Sequence, residues 1–137
     1  MLKYLYLLAF LFFPVKSFAQ KFVWKSVNNQ GMGFVTGMVI HTDINNANDL
    51  IYIRTDVGGA YRFDPQNQKW IQLMDFAGSV QEGYYRVESM AIDPNNIDKV
   101  YAAVDGTTSA KGDILVSANR GTTWQSTAMS AKNIYIA

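Results

Sequence analysis

The sequence predicts an all-β fold, and three observations indicate that class. Its apolar runs are short and alternating, they are separated by Gly, Asn and Pro, and none keeps the period of a helix. A unit of strand, Asn- and Asp-rich turn, strand, bend, strand and Trp occurs twice, at a repeat of about 50 residues. Repeats of about 50 residues with about four short strands are typical of β-propeller blades. The chain is therefore predicted to contain about two blades of a β-propeller.

Two blades cannot close a ring, because each blade buries its faces against its neighbours and about three or more repeats are normally needed. We therefore expect residues 20–137 to form the first two blades of an incomplete N-terminal propeller, in a truncated chain. A β-sandwich is the alternative architecture. It also has short alternating strands, but it gives no reason for the internal copying.

The first 19 residues have the pattern of a secretory signal peptide. A short basic start is followed by the apolar run Tyr4–Phe13 and then by small residues before Gln20. The run is shorter than the roughly 20 apolar residues that span a bilayer, which argues against stable membrane insertion. We predict cleavage before Gln20 and a secreted, periplasmic or cell-surface protein.

The first repeat unit contains the strand patterns Gly37–Ile40 and Leu50–Ile53, and a Trp at position 70. Between them lies the pair Gly58-Gly59. Two adjacent glycines allow a positive φ at both turn positions, so the chain is predicted to reverse tightly there into a second strand.

The second unit repeats these strands at Ser89–Ile92 and Ile97–Tyr101 and closes with Ser117–Trp124. This last segment resembles the Asp-box, Ser-x-Asp-x-Gly-x-Thr-Trp, with Asn119 in place of the Asp. The Asn side chain can bind the amides of its own turn, and Gly121 permits the reversal. The three Trp residues recur with the repeat, which predicts that all of them lie in blade cores: Trp24, Trp70 and Trp124.

Charge and composition argue against several classes of protein. The formal net charge is +1, and removal of residues 1–19 takes away two lysines and no acid, which leaves 10 basic and 11 acidic residues. A nearly neutral chain without a basic cluster lacks the electrostatic pattern of a nucleic-acid-binding protein. There is no cysteine and one histidine, His41. We therefore expect no disulfide scaffold, no metal site and no cofactor.

Asp56 is the candidate catalytic residue, because it lies just before the turn that contains the glycine pair, with Val57 between them, at the rim of the predicted hairpin. A carboxylate at such a rim can reach a ligand. The alternative is a structural aspartate that accepts hydrogen bonds from the amides of its own turn, a common use of Asp before Gly. Asp105, followed by Gly106, takes the corresponding place in the second unit, and spacing alone favours the structural alternative. We interpret Asp105 as structural.

The string Arg54–Arg62 resembles the N-terminal start of glycoside hydrolase family 74, the xyloglucanases and related endo-β-glucanases. Four further segments carry the same resemblance in the same order: residues 22–27, 31–37, 69–73 and 88–94. The resemblance implies two tandem propellers with a substrate cleft between them, and hydrolysis with inversion.

The resemblance gives Asp56 the role of general base, and it implies that the general acid comes from a second propeller beyond residue 137. Inverting hydrolysis needs both groups, because one carboxylate activates water while the other, about 6.5–9.5 Å away, protonates the leaving oxygen. We therefore expect a parent enzyme of the endo-β-1,4-glucanase or xyloglucanase type that acts on xyloglucan or another β-glucan. The isolated chain is expected to be inactive.

Four residues near the predicted loops are candidates for substrate binding: Arg54, Tyr61, Tyr84 and Tyr85. Sugar rings bind with their C–H faces against aromatic rings, and 14% of the chain is aromatic. Arg54 and Arg62 flank the glycine pair and could bind a sugar hydroxyl or a carboxylate. A solvated ion pair across the hairpin is the alternative for both arginines.

Two other functions share parts of this pattern. A non-catalytic Asp-box propeller that serves as a binding or assembly module would explain the repeats and the leader, but not the Arg54–Arg62 string. A sialidase also has Asp-boxes. It requires an arginine cluster and an Arg-Ile-Pro-like start to its first blade, which this sequence lacks.

Overall fold

The computed structural model describes residues 22–24, 28–31, 33–42, 49–106 and 112–129. The predicted signal peptide, residues 1–19, lies outside the described residues. Within the described ranges there are eight strands and one 3-10 helix, Ser79–Tyr85. The strands are β1 Val35–His41, β2 Leu50–Thr55, β3 Ala60–Asp64, β4 Lys69–Gln72, β5 Val87–Asp93, β6 Asn96–Val104, β7 Asp113–Ser117 and β8 Gln125–Ser126.

The strands form two four-stranded antiparallel sheets, each in simple sequence order: β1-β2-β3-β4 and β5-β6-β7-β8. One sheet corresponds to each repeat unit, which is the arrangement of two consecutive propeller blades. The predicted all-β class is confirmed. No helix in the described part of the chain is long and apolar enough to cross a membrane.

The alternating pattern of the strands explains which faces are buried. In β6, Val100, Ala102 and Val104 are fully buried while their neighbours are partly exposed. Successive side chains of a strand point to opposite faces, so these three residues share one face of the second sheet. The same alternation in β7 buries Leu115.

One hydrophobic core lies between the two sheets and takes residues from both of them. Its members are Leu50, Tyr52, Ala60, Leu73, Met74, Val87, Met90, Val100, Ala102, Val104 and Leu115. Polar contacts join the same sheets: Trp124 Nε1 donates to the Leu73 carbonyl at 3.0 Å, and Arg62 Nη1 donates to the Arg120 carbonyl at 3.0 Å. The two blades therefore pack as a pair.

Of the three Trp residues, Trp124 packs against this core, and Trp70 is partly buried with its ring 5.2 Å from that of Phe63. The prediction that Trp24 lies in a blade core was wrong, because its side chain is 97% exposed. Trp24 precedes the first strand, so it belongs to neither sheet.

The segment Ser117–Trp124 forms the turn between β7 and β8. Asn119 Oδ1 accepts a hydrogen bond from the Thr123 amide at 2.8 Å, and the buried Ser117 hydroxyl accepts one from the Gly121 amide at 2.8 Å. Arg120 and Gly121 both have a positive φ, 57° and 85°. The turn thus reverses at the glycine and satisfies its own amides, as predicted.

Candidate functional site

The candidate site is built on the loop that joins β2 to β3. Arg54 pairs with Ala60 across the two strands, so five residues, Thr55–Gly59, make the connection. The buried Thr55 closes this loop: its Oγ1 accepts from the Gly58 amide at 2.8 Å and donates to the Gly59 carbonyl at 2.9 Å. The prediction of a tight turn with two positive φ angles was wrong. Only Gly59 has one, at 84°, because the wider loop needs a single left-handed residue.

Asp56 is exposed, and a distant part of the backbone holds its carboxylate. The Phe34 amide donates to Asp56 Oδ1 at 2.7 Å, and the Asp56 amide donates to the Phe34 carbonyl at 3.2 Å. The carboxylate therefore does not cap its own loop, because Thr55 has that role. Within the described ranges, no hydrogen bond reaches the second oxygen, Oδ2.

Gly33 makes room for this contact. Its φ is 93°, and a Cβ atom at this position would lie only 2.7 Å from Asp56 Oδ1 and 3.0 Å from the Gly58 nitrogen. Real Cβ atoms do not approach other atoms that closely, and side chains other than glycine are strained at such a φ. Gly33 was not among the site residues predicted from the sequence. The two glycines at positions 31 and 33 were the pattern that could have indicated a close approach of the backbone.

Two anchors outside the loop hold the glycine pair. Gln72, at the end of β4, donates from Nε2 to the Gly58 carbonyl at 2.6 Å. The Gly59 amide donates to the Tyr85 carbonyl at 2.7 Å, which links the loop to the 3-10 helix that precedes the second sheet. The loop is therefore attached to its own blade and to the next one.

The corresponding aspartate of the second blade, Asp105, has different surroundings. Its amide donates to the Arg86 carbonyl at 2.9 Å, so Arg86 takes the place that Phe34 has beside Asp56. Arg86 Nε lies 3.1 Å from Asp105 Oδ2, at ion-pair distance although the N–H is not aimed at that oxygen. The Gly106 amide donates to Asp105 Oδ1 at 2.7 Å. Asp105 is thus neutralised and caps its own turn, whereas Asp56 has no ion pair among the described residues.

Comparison with known proteins identifies the relatives of this chain. No protein-family model matches it. A xyloglucanase from Paenibacillus sp is 41% identical over 119 residues, which cover 83% of this chain and 11% of that protein. A xyloglucanase from Acetivibrio thermocellus is 42% identical over 106 residues, or 74% of this chain and 12% of that protein. The crystal structure of the family 74 xyloglucanase from Xanthomonas campestris matches with a TM-score of 0.63 and 37% identity, over 76% of this chain and 15% of that one.

The resemblance to glycoside hydrolase family 74 is confirmed. The chain spans 11–12% of the length of the two curated relatives named above. The matched structure also agrees with the two antiparallel sheets described here.

Of the substrate-binding residues predicted for a family 74 hydrolase, Arg54 lies between the two blades. Its Nη1 donates to the Thr36 hydroxyl at 2.9 Å and to the Val87 carbonyl at 3.2 Å. Its guanidinium passes over Gly37, where a Cβ atom would lie 2.6 Å from Nε. Arg54 therefore contacts β1 and β5, and it forms no ion pair with a described carboxylate.

The three tyrosines lie at different depths. Tyr61 is 4% exposed and packs so closely on Gly31 that any Cβ atom there would overlap its hydroxyl. Tyr84 is partly buried, and its burial together with the charge of Asp113 raises the pKa of its phenol. Tyr85 donates from its hydroxyl to the Ala77 carbonyl at 2.7 Å. Tyr85 contacts the Asp56 loop through its main chain.

No group of three or more potential metal ligands occurs in the described part of the chain. The chemistry that the described geometry offers is that of one exposed carboxylate on an anchored loop.

Proposed function

We propose that this chain supplies Asp56 as the general base of an inverting xyloglucan hydrolase, and that the general acid lies outside its 137 residues. The observation that supports the proposal is the setting of the Asp56 carboxylate. One oxygen is held by the Phe34 amide at 2.7 Å, the side chain is exposed, and no described cation neutralises it. A base must be positioned and open to the water that it activates, and this carboxylate is both.

The step assigned to Asp56 is the removal of a proton from water. The Phe34 amide holds Oδ1, so Oδ2 is the oxygen that can accept the proton. The water oxygen then bonds to the anomeric carbon, while the glycosidic bond breaks and its oxygen takes a proton from the general acid. Each such proton transfer contributes about 10²–10⁴-fold to the rate. The chain alone provides one of the two groups and is therefore inactive under this proposal.

Xyloglucan is proposed as the substrate because similar proteins are named xyloglucanases. A third relative, from Emericella nidulans, is an oligoxyloglucan-reducing end-specific xyloglucanase with 34% identity over 110 residues. The matched regions of all three include most of this chain, with coverage from 74% to 83%.

We also propose that residues 1–19 direct export and are removed by cleavage before Gln20. Mass spectrometry of the N-terminal peptide of the exported protein tests this proposal.

The decisive experiment is Asp56→Asn in the complete gene product. The amide oxygen of Asn can still accept the Phe34 hydrogen bond, so the loop is preserved while the base is lost. We expect kcat on xyloglucan to fall by about 10²-fold or more, with xyloglucan binding nearly unchanged. Asp105→Asn is the matched control and should retain turnover. Full activity of Asp56→Asn would contradict the proposal.

A non-catalytic binding module is the second candidate, because the turn Ser117–Trp124 fits it as well as it fits the enzyme. We propose that this turn is an Asp-box in which Asn119 replaces the aspartate, because Asn119 accepts the Thr123 amide at 2.8 Å and also donates to the Thr123 hydroxyl at 2.8 Å. A binding module, however, does not explain why the Asp56 carboxylate is held in place without a described cation beside it. Xyloglucan binding without any turnover by the complete gene product would favour this second candidate.

A further inference from the structure

We propose that Gln72 is a positioning residue for Asp56, an inference that rests on the proposed function of Asp56 as general base. Gln72 does not touch the carboxylate. It holds the main chain of the Asp56 loop at Gly58, two residues further along the chain.

The side-chain amide of Gln72 uses both its nitrogen and its oxygen in hydrogen bonds to the backbone. Gln72 Nε2 donates to the Gly58 carbonyl at 2.6 Å, the shortest contact that holds the loop from outside it. Gln72 Oε1 accepts from the amides of Leu73 and Met74 at 2.7 and 3.0 Å. The bonds to Oε1 thus fix the side-chain amide of Gln72 against the backbone that follows it. This orientation directs Nε2 towards the loop.

The loop needs such support because Thr55 is its one buried side chain. Val57 is 54% exposed, Asp56 is exposed, and Gly58 and Gly59 have no side chains. Hydrogen bonds therefore determine its conformation: Thr55 within the loop, the Tyr85 carbonyl at Gly59, and Gln72 at Gly58. Loss of the Gln72 bond would release the carbonyl two residues after the base. A displacement of about 1 Å at a reacting group can cost about 10²-fold in rate.

Gln72→Glu in the complete gene product tests the inference. Glu keeps the oxygen that accepts the Leu73 and Met74 amides, but when ionised it has no donor for the Gly58 carbonyl. Gln68→Glu is the matched control, because Gln68 Nε2 also donates to a backbone carbonyl, that of Pro65 at 2.8 Å, in the exposed turn between β3 and β4. Both variants add the same charge and remove one bond of the same kind.

We expect Gln72→Glu to lower kcat by about 10- to 100-fold with little change in KM, while Gln68→Glu stays close to the parent protein. Gln72→Asn is the second variant, because it is neutral and too short to reach Gly58, and it should show the same loss of kcat. Thermal unfolding of each variant separates this effect from a general loss of stability. Equal kcat values for the Gln72 variants and Gln68→Glu would overturn the inference.

Asp56→Asn, measured beside them, distinguishes the two proposals. If Asp56→Asn loses turnover and both Gln72 variants retain it, the positioning role is wrong and the base assignment stands. If Asp56→Asn retains turnover, both proposals are wrong. If a Gln72 variant loses activity only because its KM is raised, with kcat unchanged, Gln72 contributes to substrate binding and the positioning role is again wrong.

Discussion

At the scale of single residues, the two blades show how one change alters the use of a repeated aspartate. Asp56 and Asp105 hold equivalent places, and each donates its amide to the residue just before the first strand of its sheet. That residue is Phe34 in the first blade and Arg86 in the second. The guanidinium of Arg86 neutralises Asp105, whereas the side chain of Phe34 is uncharged and 75% exposed. The charge of the neighbour therefore separates the candidate base from its structural copy.

Gly33→Ala is the prediction at this scale. The added methyl would lie 2.7 Å from Asp56 Oδ1, at a φ of 93° that side chains avoid, so the carboxylate or the backbone must move. If Asp56 is the general base, as proposed, we expect at least a 10-fold loss of kcat on xyloglucan in the complete gene product, since a small displacement of a reacting group is costly.

Gly78→Ala is the control for this substitution, because nothing lies within 4 Å of a Cβ atom at Gly78. It should leave kcat unchanged. Wild-type kcat in Gly33→Ala would show that the close approach of Gly33 has no part in holding Asp56.

At the scale of secondary-structure elements, local patterns predicted most of what is observed. Alternating runs became strands, the copied unit became two sheets, and Ser117–Trp124 became a self-satisfied turn. These features depend on residues close together in sequence. The hydrogen bond between Phe34 and Asp56 joins residues 22 positions apart, and the bond from Gln72 to Gly58 crosses 14 positions. No local pattern encodes such contacts, so the family resemblance indicated Asp56 but not the groups that hold it.

Ser117→Ala is the prediction at the scale of the β7–β8 turn. The Ser117 hydroxyl is buried and accepts the amides of Gly121 and Asn119 at 2.8 and 3.2 Å. Its removal leaves the buried Gly121 amide without this partner, which costs about 1–3 kcal/mol. Urea unfolding of the purified complete gene product should show this loss as a lower free energy of unfolding. Ser89→Ala, at an exposed position of β5, is the control and should stay within about 0.5 kcal/mol. Equal stabilities of the two variants would contradict the assigned role.

At the scale of the whole molecule, the shared core makes the two blades depend on each other. Leu73 and Met74 of the first unit lie in the same cluster as Val100 and Leu115 of the second. The bond from Trp124 Nε1 to the Leu73 carbonyl crosses the same boundary. A substitution that weakens the packing on one side of this boundary should therefore lower the stability of both sheets.

Met74→Ala tests this dependence. Met74 is fully buried between the sheets, and its truncation leaves a cavity, so we expect a loss of about 2–5 kcal/mol. Met38→Ala is the matched control: Met38 is 58% exposed, and the change should cost about 0.5 kcal/mol or less. Urea unfolding monitored by amide exchange should show both sheets weakened together in Met74→Ala. Weakening of the first sheet alone would contradict a shared core.

The anchors of Asp56 also have a consequence for biosynthesis. Every described group that holds this loop lies between residues 33 and 85: the Phe34 amide, the Thr55 hydroxyl, the Gln72 side chain and the Tyr85 carbonyl. Chains emerge from the ribosome N-terminus first, and contacts between nearby residues form early. Once the second blade has supplied its part of the shared core, a nascent polypeptide can thus hold this loop in place, and under the proposed function a general acid translated later would meet a carboxylate that is already positioned.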